Sequence, residues 1–148
     1  MTIQEARAEL KKIGVLYNRI AERKQRLAEL RQSMGSIRLS KYGNQPTAGA
    51  TRIDNYRLEK AIDRCTKLET QIADDIVAMA ETQQTLIEKI ENLPEPYATV
   101  LSKRYIHLQR FEKIAVDMNY TYEWVRHLNS AGIKRFADLS NSTQKNTK

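Results

Sequence analysis

Cysteine is almost missing from this chain. Cys65 stands alone among 148 residues, so no disulfide can form within one copy. Proline and glycine are scarce too, at three and five residues, which leaves few points where a helix must break. No apolar run approaches the roughly 20 residues that span a bilayer. The opening stretch, MTIQEARAELKK, puts acids and bases where a secretory signal needs an apolar core. A protein that does not enter a membrane and works in the cytoplasm of the producing cell is therefore expected.

Enzymatic machinery is equally absent from the sequence. There is no glycine-rich loop to cradle phosphate, no clustered His/Cys ligand set, and no nucleophile with a plausible base. The neighbouring acids Asp74 and Asp75 diverge around a helix and are expected on a solvated face. His127 is one of two histidines and has no partner nearby for a metal. The expectation is a protein that is not an enzyme and uses no cofactor and no metal.

The residues present favour helix. Hydrophobic residues make up 41% and charged residues 29%, a balance suited to an all-α soluble protein. The formal net charge is +7, which favours a polyanionic partner such as nucleic acid. Its distribution is uneven: residues 1–41 carry +6, residues 51–93 carry −3 and residues 94–148 carry +4. The acidic middle can neutralise one of the basic ends.

Residues 2–34 read as one long helix. Ile3, Leu10, Tyr17, Lys24 and Arg31 recur every seven residues, with Ala6, Ile13, Ile20, Leu27 and Met34 three positions later. Leu16 and Leu30 widen that stripe. Residues 35–50, GSIRLSKYGNQPTAGA, lack helical periodicity and gather Gly, Pro and small polar residues, so a flexible connection is expected there. A second helix is expected over residues 51–92, with the stripe Leu58, Ile62, Cys65, Ile72, Ile76, Met79, Leu86, Ile90 and Leu93. Cys65 falls inside it as a small buried hydrophobe. Glu69 and Gln83 interrupt the stripe at one heptad position, where polar residues set register.

Neither helix can hide its stripe alone. An antiparallel hairpin closed by the connection is the economical solution for residues 1–92, with Ile13 opposite Ile76 and Leu27 opposite Ile62 as one register. Pairing between two chains is the alternative, and the sequence does not choose. Residues 140–148 are polar, lack an apolar anchor and are expected to be a disordered tail.

Between them, residues 93–139 carry a different pattern. Leu93-Pro94 ends the long helix, and Pro96 suits the first turn of a new one lined by Val100, Leu101, Tyr105 and Ile106. A second helix, from near Arg110 to Met118, has Phe111, Ile114, Ala115 and Met118 on its core side. Asn119-Tyr120 makes a tight turn, since Asn tolerates the left-handed conformation. Thr121 caps a third helix that runs to about Phe136 and buries Val125, Leu128, Ala131 and Phe136. Small Ala115 where two helices cross, a turn former four residues on, then Val125 and Leu128 facing the core are the spacing of a helix-turn-helix.

The phrases Leu93-Pro94, Val100-Leu101, Arg104-Tyr105, Ile114-Ala115, Thr121 and Val125-Arg126 resemble region 4 of bacterial sigma factors. With its helical N-terminal part and the phrase MNYTYEWVRHL, the whole chain resembles phage-encoded regulators of the ArpU/RinA late-transcription type. That resemblance implies a bacterial-host setting and binding to duplex DNA at phage or mobile-element promoters. The partners that the resemblance implies are double-stranded DNA and RNA polymerase; the long helices add another regulatory protein, or a second copy of the chain in a homodimer, as expected partners. Gly132 departs from the pattern, which prefers a helix former there. It either loosens the helix or permits close approach of another.

In such a motif the third helix enters the major groove, so the base-reading candidates are Thr121, Tyr122, Glu123, Arg126, His127 and Ser130. Arg126 can donate to guanine or clamp a phosphate. Glu123 can accept from cytosine or simply favour the helix N-terminus. Tyr122 can meet a thymine methyl or a phosphate, and Trp124 either packs on a neighbouring helix or lies on the DNA backbone. Lys103, Arg110, Lys113 and Lys134 are the candidates for backbone contacts that position without specifying. A second function is open from the same residues: a non-enzymatic modulator or inhibitor that binds a partner protein through the long helices.

Overall fold

A computed structural model describes residues 1–43 and 48–146, with side chains described for 1–36 and 55–146. The described residues contain helices and no strand: α1 (Ile3–Gly43), α2 (Ala48–Glu91), α3 (Tyr97–Leu101), a π-helical turn (Ser102–Ile106), α4 (Phe111–Met118) and α5 (Tyr122–Lys145). The all-α expectation holds, with a long helix pair followed by the helix-turn-helix. No helix among the described residues is long and apolar enough to cross a membrane.

Local chemistry starts α1. The Thr2 backbone N–H donates to Glu5 Oε2 at 2.7 Å, and the Glu5 N–H donates to Thr2 Oγ1 at 3.2 Å, a reciprocal capping box. The donated Thr2 N–H, helped by the N-terminal ammonium, holds the Glu5 carboxyl below its usual range. The expected connection over residues 35–50 is corrected. α1 continues to Gly43 and α2 begins at Ala48, while the central residues 44–47 lie outside the described residues. Isolated Gly35 is an affordable interruption at roughly 1 kcal/mol against Ala, so composition overstated the break.

The chain forms two compact units: Met1–Tyr17 with Ala78–Lys148, and Asn18–Val77. This differs from an expected boundary near residue 93, because the ends of both long helices pack into the C-terminal unit. Within that unit α1 and α2 join one core through Ala6, Leu10, Ile13, Leu86 and Ile90, with Leu93 just past α2, and Lys89 pairs with Glu9. Leu101, Tyr105, Ile106, Ile133, Phe136 and Ala137 complete it. Burying each large apolar side chain there contributes about 1.5–3 kcal/mol before entropy is charged against it. A second, smaller core of Val100, Ile114, Ala115, Val125 and Leu128 belongs to the helix-turn-helix. Adjacent Val100 and Leu101 thus serve different cores, which ties the two together.

In the Asn18–Val77 unit the same two helices run antiparallel. Arg31 pairs with Glu69 at 2.8 Å, while Arg23 pairs with Asp75, which also lies 3.7 Å from Arg19. Ile20, Leu27, Ala61, Cys65 and Ile72 are buried, as expected for Cys65. The expected register is corrected. Ile13 shares its core with Leu86, and Leu27 shares a groove with Ile72, roughly three turns along α2 from Ile76 and Ile62 respectively. Ile62 and Ile76 are exposed. The inward seam of α2 runs through buried Ala61, Cys65, Ile72, Asp75 and Leu86 and half-buried Leu68, Met79 and Thr82 on four- and three-residue steps. Heptad stripes pair almost equally well in shifted registers, so charged partners select among them. Asp75 is one such partner, and its expected solvated position is therefore wrong: only 7% of it is exposed.

The predicted disordered tail is also corrected. α5 continues through Ser140 to Lys145, and the final two residues lie outside the described residues. Asn141 accepts from the Met1 ammonium and donates from Nδ2 to the Met1 carbonyl at 3.1 Å. A polar stretch without an apolar anchor is held here by helix continuation and by the chain's own first residue.

Candidate nucleic-acid interface

The turn that presents α5 forms as its residues dictate. Asn119 takes φ 56° and ψ 39°, the left-handed conformation, and the next amide, Tyr120 N–H, donates to the Ala115 carbonyl at 2.9 Å. This closes the C-terminus of α4. Thr121 is extended, and its Oγ1 accepts from the Trp124 N–H at 3.2 Å to cap α5. Ala115 is buried at the crossing and Val125 and Leu128 are buried beneath it, whereas Ala131 and Phe111 are half-buried.

Gly132 resolves the two readings in favour of close approach. A Cβ there would lie 3.2 Å from Leu101 Cγ, so α5 and α3 approach too closely for a larger residue without movement. Leu101 is itself fully buried. The predicted first helix is split: α3 gives way to the π-helical turn at Ser102, a wide turn in which Tyr105 and Ile106 are both buried.

All six base-reading candidates, Thr121, Tyr122, Glu123, Arg126, His127 and Ser130, are exposed. On α5, Glu123, His127, Ser130 and Lys134 follow four-, three- and four-residue steps and so occupy one strip, with Arg126 beside it. Lys134 thus extends the reading strip along the helix. Thr121 caps the helix, so its hydroxyl is engaged with backbone. Of the backbone candidates, Arg110 and Lys113 are exposed around the first turn of α4. Lys103 is half-buried and lies 4.0 Å from Asp117, the least available of the four.

Two pairings were not visible in the sequence. Trp124 is not buried. It is 46% exposed and stacks on His127, with ring centroids 5.2 Å apart and planes 21° apart. The second is a run of four side chains from three elements. The Arg104 guanidinium lies 4.1 Å from the Phe111 ring centre. Phe111 meets Tyr122 edge-on at 6.3 Å and 81°, and Arg126 lies 5.8 Å from the Tyr122 ring centre. Its only sequence signal is the four-residue step from Tyr122 to Arg126 on one helix.

Such a surface offers cationic and hydrogen-bonding side chains on a helix face, carried on a rigid core. The described residues contain no cluster of three or more His, Cys, Asp or Glu side chains placed to hold a metal ion. No protein-family model, curated protein or solved structure matches the chain, so the functional reading rests on these residues and their geometry.

Proposed function

We propose that this chain is a sequence-specific DNA-binding transcription regulator of phage or mobile-element origin, acting at promoters with RNA polymerase. The observation that carries the reading is the exposed face of α5. Glu123, Arg126, His127, Ser130 and Lys134 project from a helix whose other side is locked by Val125 and Leu128, the disposition a major-groove reader requires. Arg110 and Lys113 flank it for phosphate contact, and the long helices serve homodimer formation or polymerase docking in the host cytoplasm. Selection from a randomised duplex pool tests the reading. The wild-type chain is expected to enrich one sequence, and Arg126→Ala to keep non-specific duplex affinity while losing the preference at one base pair of that sequence. Failure of the wild type to enrich any sequence at physiological salt would overturn the reading.

A second reading has its own observation. Tyr56, Ile62, Ile76 and Val77 of α2 are exposed in the Asn18–Val77 unit, and exposed apolar side chains on a long helix suit docking to a protein. A modulator that works through this helix would retain a protein partner after Arg126→Ala and lose it after Ile62→Glu with Ile76→Glu. Light-scattering mass measured on both variants separates loss of a second copy from loss of a different partner.

A further inference from the structure

Resting on the DNA-binding reading, the geometry points to Tyr122 as the positioning residue for Arg126, and to guanine in the major groove as the base that Arg126 reads. The run Arg104, Phe111, Tyr122 and Arg126 alternates so that cations close both ends of an aromatic pair. Each contact restrains the next. Arg104 is fixed at its far end, because Nη1 donates to the Gln109 carbonyl at 3.1 Å. Its guanidinium covers Phe111, which is half-buried beside the helix-turn-helix core. Phe111 holds Tyr122 by edge contact, which leaves the Tyr122 ring to support Arg126 one turn further along α5.

An exposed arginine otherwise spends most of its time in many rotamers, and binding must freeze them at an entropic cost. A ring beneath the guanidinium reduces that cost and directs the fork outward. The planar fork, with paired donors, matches the O6 and N7 acceptors of guanine, whereas a point charge does not distinguish bases. Tyr122 thereby acts through Arg126 and need not touch a base.

The test uses the full chain and the duplex it enriches, set beside duplexes altered at one base pair each. Arg126→Ala is expected to erase discrimination at one G·C pair, by roughly 5- to 100-fold. Tyr122→Leu should weaken discrimination at that same pair by roughly two- to five-fold, the scale of an exposed cation–π contact, while Tyr122→Phe retains it. In the free protein, the Arg126 side-chain proton resonances should move away from their ring-shifted positions in Tyr122→Leu and stay in Tyr122→Phe. Undiminished discrimination in Tyr122→Leu, or a loss spread evenly over all base pairs, overturns the proposal and leaves DNA binding standing. If the wild type enriches no sequence, both fall.

Discussion

At the scale of single residues, Gly14 and Gly132, both helical, make opposite cases. A Cβ at Gly14 would meet only Leu108 Cδ2, at 3.6 Å, an ordinary contact. Gly14→Ala should therefore collect the helix-propensity gain of roughly 0.5–1 kcal/mol. At Gly132 the new Cβ would press three Leu101 carbons at 3.2–3.4 Å. Leu101 is fully buried and cannot swing into solvent. Overpacking of about 1–3 kcal/mol then outweighs the same propensity gain. Urea denaturation of the two variants should move the midpoints in opposite directions, up for Gly14→Ala and down for Gly132→Ala. A shared direction would mean that α5 and α3 can separate at little cost.

At the scale of elements, register in the Asn18–Val77 unit turns on Asp75. Its side chain is 10% exposed, against 25% for Arg23 and 50% for Arg19. Asp75→Ala leaves two cations facing each other without their carboxylate, and should cost on the order of 1–3 kcal/mol, less than a fully buried pair because Arg23 retains some solvent. Replacing both partners, Arg23→Leu with Asp75→Leu, should recover most of that loss. Asp74→Ala, at an exposed neighbour, should change stability by under about 0.5 kcal/mol. Equal effects from Asp74 and Asp75 would remove the ion pair from the account. The same residue marks the limit of what the sequence could disclose. Local signals were legible: Asn119 as the left-handed turn, Thr121 as the cap, Val125 and Leu128 as core. These depend on a few adjacent residues and on helical periodicity. The seam of α2 was legible only in part: Cys65, Ile72, Met79 and Leu86 stand in the expected stripe, but Asp75 and Thr82 do not, and the apolar repeat also took in Ile62 and Ile76, which are exposed. The run from Arg104 to Arg126 was hidden for another reason: it joins three elements, and no spacing along one helix predicts it.

At the scale of the whole molecule, the +7 charge need not be spent on DNA throughout. Part of the positive charge of α1 faces acids of its own unit: Arg31 pairs with Glu69, Arg26 with Glu22, and Arg19 and Arg23 with Asp75. Near the reading face the balance differs, since Arg110, Lys113 and Lys134 are exposed while Lys103 leans on Asp117. If those three supply the phosphate contacts, the logarithm of affinity should fall against the logarithm of salt with a slope of about −3, near −0.9 for each phosphate neutralised. Lys113→Ala should make that slope shallower by about 1 and lower affinity for all duplexes alike, because phosphate contacts carry no sequence information. Arg31→Ala should leave the slope unchanged, since Glu69 already takes its charge. Fluorescence anisotropy across a salt series measures all three. A slope much steeper than −3 that flattens on Arg31→Ala would place the long helices against the DNA, and the reading face would then be only part of the footprint.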